Sequence, residues 1–191
     1  MGGGYVANAG VYLVNFVFGL YILAVLLRFL LQMVRADFYN PICQAIVRVT
    51  NPPIRPMRRY IPSFSGIDTS SLLLLVVLQL LNTWLVMTIV GADPALAGLL
   101  VLAVAELITK VVWTFMIAIF IHIIVSWVAQ GVYNPVSGLS DALSSPLLGR
   151  ARRVVPAFGG IDLSPMLPIV LLQLSLLLIV APLRDFGFSL L

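Results

Sequence analysis

Two arginine pairs, Arg58-Arg59 and Arg152-Arg153, stand at the same place in two copies of one polar loop. Each pair follows a Tyr-Asn-Pro start (Tyr39-Asn40-Pro41, Tyr133-Asn134-Pro135). Each precedes the same string, Pro-x-Phe-x-Gly-Ile-Asp-x-Ser, at 62–70 and 156–164. Adjacent guanidiniums are permanently charged planar forks that suit phosphate or carboxylate oxygens. With Arg55 and Arg150 close by, they are candidates to dock an anionic lipid head group or a membrane partner. A plainer role stays open. Cations beside anionic lipid, worth roughly 1 kcal/mol each at most, fix the orientation of a membrane protein. That role counts charge and ignores spacing, whereas here the spacing is identical. Nucleic acid is an unsuitable partner, because the loops hold Pro, Gly and Ser where a DNA reader would show a long basic helix.

A second set of polar residues falls inside apolar segments. Gln79 recurs as Gln173, and two amides facing each other across the repeat axis would contribute about 0.6–2 kcal/mol. The rival reading is a polar constriction on a permeation route. Asn82 and Thr83 extend the Gln79 face, but Leu176 and Leu177 take their places in the second copy. Arg28 recurs as His122. Both fall about two turns inside a span, from where an arginine can snorkel to the interface. Glu106 and Lys110 have the favourable helical ion-pair order. Trp84, Trp113 and Trp127 are expected toward span ends. A lone cysteine, Cys43, and a lone histidine, His122, supply neither a disulfide nor a Cys/His metal cluster nor a haem clamp. No catalytic constellation converges in the sequence. The expectation is a protein that is not an enzyme and carries no cofactor.

The elements that must position these residues follow from composition. The chain is 61% hydrophobic and 9% charged over 191 residues, with a mean hydropathy of +1.11. Soluble domains carry about 25% charged residues. This is the composition of a multi-pass membrane protein with room for about four spans of about 20 residues. Apolar segments at 9–34, 69–90, 106–130 and 163–183 are the spans, with 95–105 an extension outside the third. The register of the copies holds over 28–80 against 122–174, so the chain is an internal duplication, with repeat 1 at 1–94 and repeat 2 at 95–191. Two spans per repeat return the chain to its starting side. The predicted fold is therefore an all-α membrane protein: four transmembrane helices as two parallel two-helix repeats, with short amphipathic helices in the loops. No Lys or Arg precedes Arg28, so the first apolar segment is expected to stay as a span and not to act as a signal peptide. Eight of the eleven positive residues lie in loops 35–68 and 131–162. The positive-inside rule predicts that both loops are cytoplasmic and both termini outside.

Within each loop, Asn40-Pro41 and Asn134-Pro135 read as an N-cap followed by proline at the first helical position. Asn51-Pro52 and Ser145-Pro146 repeat that device, predicting a second short helix that carries the arginine pair. The Gly66-Ile67-Asp68 and Gly160-Ile161-Asp162 segments turn the chain back into the membrane. Asp68 and Asp162 are the expected N-caps of spans 2 and 4.

The string Asn134-Pro135, Ser145-Pro146-Leu147-Leu148, Arg152-Arg153, Pro156, Gly159-Gly160-Ile161-Asp162-Leu163-Ser164-Pro165 closely resembles the signature of the YggT family, also called YlmG. The resemblance covers essentially the whole chain, once per repeat. Repeat 1 departs at Ser65, Thr69 and Ser71, which makes repeat 2 the better candidate for a partner site. The resemblance implies a small integral protein of the bacterial inner membrane. It also implies associations with cytochrome complex assembly in plastids, cell division or nucleoid distribution, and osmotic tolerance with potassium uptake; no catalytic residue comes with it. The leading functional expectation is a scaffold or assembly factor that engages anionic lipid head groups, a membrane-protein partner or further copies of itself. The alternative is an ion (potassium) transport or osmotic-stress channel component acting as an oligomer.

Overall fold

The computed structural model describes residues 3–64, 66–128, 134–155 and 162–191. Helices α1 (Gly3–Met33), α2 (Pro41–Tyr60) and α3 (Thr69–Ile89) form repeat 1. Helices α4 (Leu96–Val128), α5 (Pro135–Val154), α6 (Met166–Ser175) and α7 (Ala181–Ser189) form repeat 2, with a π-helical turn at Leu176–Val180 joining the last two. Four stretches are long and apolar enough to cross a membrane: 4–33, 69–89, 96–128 and 166–189. A helix satisfies its own backbone, so it can shed water and enter lipid. The outer faces are accordingly apolar: Tyr5, Tyr12, Phe16 and Leu20 on α1 are all more than half exposed.

Element lengths are unequal. α3 has 21 residues, or about 32 Å at 1.5 Å per residue, which matches a hydrocarbon layer of about 30 Å. α1 and α4, with 31 and 33 residues, are about 47 and 50 Å long. The extension expected at 95–105 is therefore the first turns of one continuous helix. Span 4 also differs from expectation: it begins at Met166 and, through the π turn, runs to Ser189. The π turn follows from Pro182, whose missing N–H cannot serve the Leu178 carbonyl. The ladder widens, and the Ala181 N–H reaches Leu176 O. Trp113 sits near the middle of α4, not toward an end.

α1 packs against α2 and α3, and α4 packs against α5 and α7. α3 also touches α4, so it lies between α1 and α4, while the last span sits at the edge against α4. A core of Ile22, Val25, Leu26, Leu30, Cys43, Ile54, Leu75 and Leu143 gathers where α1 meets the amphipathic helices. At the other end Gly98 and Gly187 bring α4 and α7 together: a Cβ on Gly187 would lie 2.8 Å from Leu102 Cδ2. Gly91, at φ +80°, closes α3 in the left-handed conformation that glycine takes without strain.

Each polar loop holds one helix of 20 residues, not two short ones. α2 runs through Pro52, Pro53 and Pro56, and α5 runs through Pro146. Prolines inside a helix cost about 3 kcal/mol each through lost hydrogen bonds and clashes. In α2 a side chain from α1 supports the damaged stretch, as described next.

Candidate functional site

Arg28 is 5% exposed and turned inward, contrary to the snorkelling expectation. Its Nη1 donates to Thr50 Oγ1 at 2.8 Å, to Asn51 Oδ1 at 2.9 Å and to Val47 O at 3.4 Å. Thr50 Oγ1 in turn donates to Ile46 O at 2.7 Å. The guanidinium thus grips α2 just before its prolines, and Asn51, expected to cap a new helix, spends its oxygen on Arg28. In repeat 2, His122 Nδ1 lies 2.6 Å from Asp141 Oδ1 on α5. Both repeats therefore anchor their amphipathic helix from the same position of the preceding span, with different chemistry. Ser144, the counterpart of Thr50, keeps a buried hydroxyl without a partner among the described residues.

The first arginine of each pair also has an internal partner. Arg58 bonds Asp68, and Arg152 Nε lies 3.2 Å from Asp162 Oδ2. Asp68 caps α3 as expected: it accepts from Ser71 N–H at 3.4 Å and from Ser71 Oγ at 2.6 Å. Burial of the Asp68 carboxyl opposes its ionisation, but the hydrogen bonds from Arg58 and Ser71 outweigh this and lower its pKa. Asp162 does not cap α6, which begins at Met166 behind Pro165. It accepts instead from Ser164 N–H at 2.9 Å, and hydrogen bonding from Ser164, helped by Arg152, holds its pKa below the ordinary carboxylate value. In repeat 1, Thr69 Oγ1 donates to Pro62 O at 2.7 Å and Ser70 Oγ to Ile61 O at 3.1 Å. Gly66, at φ +82°, turns the chain between Phe64 and Ile67, which exchange backbone hydrogen bonds. Gly160 and Ile161 lie outside the described residues, as do Tyr133, Pro156, Phe158 and Gly159. These two tethers were legible in principle: Arg and Asp recur ten residues apart in both copies.

The two amphipathic helices meet at their starts. Asn40 Oδ1 accepts from Ile42 N–H, capping α2, while its Nδ2 donates to Pro135 O at 2.6 Å. Asn134 caps α5 by accepting from Val136 N–H at 3.0 Å. Both helices thus lie at one end of the molecule. Pro41 is exposed and Pro135 half-buried. Arg55, Arg58, Arg59, Arg150, Arg152 and Arg153 are all exposed at this end. Arg55, Arg59, Arg150 and Arg153 make no side-chain hydrogen bond or ion pair among the described residues. Arg150 also helps line a groove of about 360 Å³ between α5 and α6, walled by Leu147, Val154, Leu167, Pro168 and Leu171. Among the described residues, no cluster of three His, Cys, Asp or Glu could hold a metal.

Comparison with known proteins fits this two-part build. The CCB3/YggT family model matches residues 7–89 and again 101–183. The chain belongs to the CCB3/YggT family. It is 41% identical over 175 residues to an uncharacterized protein of Pseudomonas aeruginosa, covering 91% of this chain and 89% of that one. It is 38% identical over 167 residues to the uncharacterized protein YggT of Escherichia coli K12, covering 86% of each. An uncharacterized protein of Haemophilus influenzae is 35% identical over 150 residues, 78% of this chain and 80% of that one. No solved structure matches the chain.

The two CCB3/YggT units are not equivalent inside the membrane. Gln79, midway along α3, is 1% exposed, and its Nε2 donates to Thr83 Oγ1 at 3.2 Å. Gln173, its counterpart, is exposed on α6. The expected amide pair across the repeat axis is therefore absent. Asn82 Nδ2 reaches Asn15 Oδ1 on α1 at 3.1 Å instead. Glu106 and Lys110 pair at 3.8 Å, and α7 adds Arg184, whose Nη2 lies 2.8 Å from Glu106 Oε1. The Arg184 contact was invisible in the sequence, where Asp185 stood as its nearest charge.

Proposed function

We propose that this CCB3/YggT protein is a non-enzymatic scaffold of the bacterial inner membrane that holds anionic lipid, and through it a membrane partner, against its two amphipathic helices. The arginine-bearing end faces the cytoplasm in this reading, and both termini face outward. The observation that carries the reading is the apolar groove between α5 and α6 with Arg150 on its wall. An acyl chain suits the groove, and a phosphate at its mouth suits Arg150, with Arg153 exposed on the same helix. Arg58 and Arg152 serve the fold in this scheme, so binding falls to Arg55, Arg59, Arg150 and Arg153. Ion conduction receives less support, because Gln79 and Gln173 do not face a common route.

The test is native mass spectrometry of the full chain extracted in mild detergent from a membrane containing phosphatidylglycerol. Stoichiometric phosphatidylglycerol on the wild type, lost in the triple variant Arg59→Glu, Arg150→Glu, Arg153→Glu while the variant still inserts, is the expected result. Equal retention by both proteins refutes the docking surface. A defined homo-oligomer free of lipid would move the weight to a pore and call for flux measurements in liposomes.

A further inference from the structure

Away from the arginine-bearing end, α1, α3, α4 and α7 line a half-open cavity of about 200 Å³. Its walls differ in kind. One side, from α1 and α3, presents the neutral polar groups Asn15, Gln79, Asn82 and Thr83. The other, from α4 and α7, presents Glu106, Lys110 and Arg184. Gln79 and Asn82 are 1% and 5% exposed. Their NH₂ groups are used, on Thr83 and Asn15. Their oxygens, Gln79 Oε1 and Asn82 Oδ1, are buried with no donor among the described residues. Across the cavity, the Arg184 Nη2 atom is taken by Glu106 and by Thr109 Oγ1 at 3.1 Å, while its buried Nε has no acceptor there. A buried polar atom left unpaired costs about 1–3 kcal/mol. The residues of α3 and α7 that carry these unpaired atoms all line one cavity, which points to an occupant.

The unpaired atoms also describe that occupant. Two lone acceptors on one wall require N–H or O–H donors. A guanidinium Nε–H on the other requires an anionic or carbonyl oxygen. The charged wall carries one carboxylate against two cations, an excess of +1, which disfavours a bare metal cation. A simple anion would leave the amide oxygens unpaired. The backbone is adapted as well. The π turn at Leu176–Val180 inserts a residue into the helical cycle just before Arg184, and such turns concentrate at functional sites. The close approach of Gly98 and Gly187 seats α7 beside Leu102, another residue of the lining.

We propose that this cavity binds a primary-amine zwitterion, its ammonium donating to Gln79 Oε1 and Asn82 Oδ1 and its anionic oxygens accepting from Arg184 and Lys110. Two sources share that chemistry: the head group of phosphatidylethanolamine and a free soluble amino-phosphate. A phosphocholine group has the same charges but no N–H, so it isolates the amide contacts.

The test measures thermal unfolding of the full chain in neutral detergent with three probes: dioctanoyl-phosphatidylethanolamine, dioctanoyl-phosphatidylcholine and free phosphoethanolamine. Saturable protection by an ethanolamine probe at a concentration at least tenfold below that needed for the choline lipid is expected, since a hydrogen bond to a charged group is worth about one decade or more in affinity. Protection by the lipid alone identifies the head group as ligand; protection by phosphoethanolamine as well identifies the soluble zwitterion. Gln79→Leu/Asn82→Leu should abolish the preference for ethanolamine over choline. Equal response to ethanolamine and choline in the wild type, or no saturable response to any probe, overturns the proposal and leaves the cavity to water. The wild-type comparison decides even if the double variant does not fold.

Discussion

Arg58 and Arg152 occupy equivalent positions, bond equivalent aspartates and yet should differ several-fold in what they contribute to stability. The Asp68 side chain is 1% exposed and that of Asp162 is 41% exposed. In Arg58→Gln, a buried carboxylate loses a charged donor and keeps only Ser71. A hydrogen bond to a charged group is worth about 1.5–3 kcal/mol. Because Arg58 itself is 42% exposed, the lower half of that range applies, near 2 kcal/mol. In Arg152→Gln both partners already face solvent, and the loss should be about 0.2–1 kcal/mol. The assay is reversible unfolding of the full chain in mixed micelles by titration with sodium dodecyl sulfate, followed by circular dichroism. The double variant Arg58→Gln/Asp68→Asn should recover part of the loss, since removing both partners removes the buried charge as well. Acidity supplies a further check. The Asp68 pKa is lowered from its ordinary 3.8, so the contribution of the pair is complete above that value and is lost only as pH falls through the lower, folded value. The gap between wild type and Arg58→Gln should therefore stay constant at neutral pH and narrow in acid, first as pH falls through the Asp68 pKa of the variant, where burial is no longer offset by Arg58, and then through the lowered wild-type value. Equal losses for the two arginine variants, or a gap that does not narrow in acid at all, would refute the assignment of Arg58 to a buried tether.

Arg28→Leu should cost about 2–3 kcal/mol in the same titration and raise amide hydrogen exchange around Thr50 to Met57, because the proline-bearing part of α2 loses its support; unchanged exchange there would count against this. Cys43 is 1% exposed, and burial, with the Asp37 charge adding to it, raises its thiol pKa. Maleimide labelling of the folded protein should be far slower than of the unfolded chain and should accelerate in Arg28→Leu, read by mass shift. Gly187→Leu should push α7 off α4 through its clash with Leu102 and Val101. The expected cost is about 1–3 kcal/mol, with little effect on Cys43 labelling at the opposite end, and a stability equal to wild type would mean the helices are not in close contact.

The order of spans and the duplication were legible because each rests on local information: apolar runs of sufficient length, and a polar string repeated in register. Asn40, Asn134 and Asp68 were legible as caps for the same reason, since a cap acts within one turn. What escaped the sequence depends on distant contacts. The proline signal at Pro52 outweighed helix continuity because Arg28, about 20 residues upstream, gave no local sign of gripping Thr50 and Asn51. Gln79 and Gln173 read as equivalent because they hold the same register in the two copies, although Asn82 and Thr83 give way to Leu176 and Leu177. Their neighbours in space differ, since α3 is enclosed by α1 and α4 while α6 lies at the edge. The arginine pairs read as wholly available for docking, and half of each pair turned out to hold the loop to the next span.

The bond from Asn40 to the Pro135 carbonyl has a consequence for how the two halves associate. In a dimer of separate half-length chains related by a two-fold axis, Asn40 of each copy would meet the other's proline, and the contact would depend on encounter within the bilayer. Covalent fusion makes that encounter intramolecular, so the halves meet at a high effective concentration even when the chain itself is scarce. Strict self-complementarity is then no longer required of either half. One half can keep the glutamine that lines the cavity while the other turns its glutamine outward, a divergence that a symmetric pair of identical chains could not sustain.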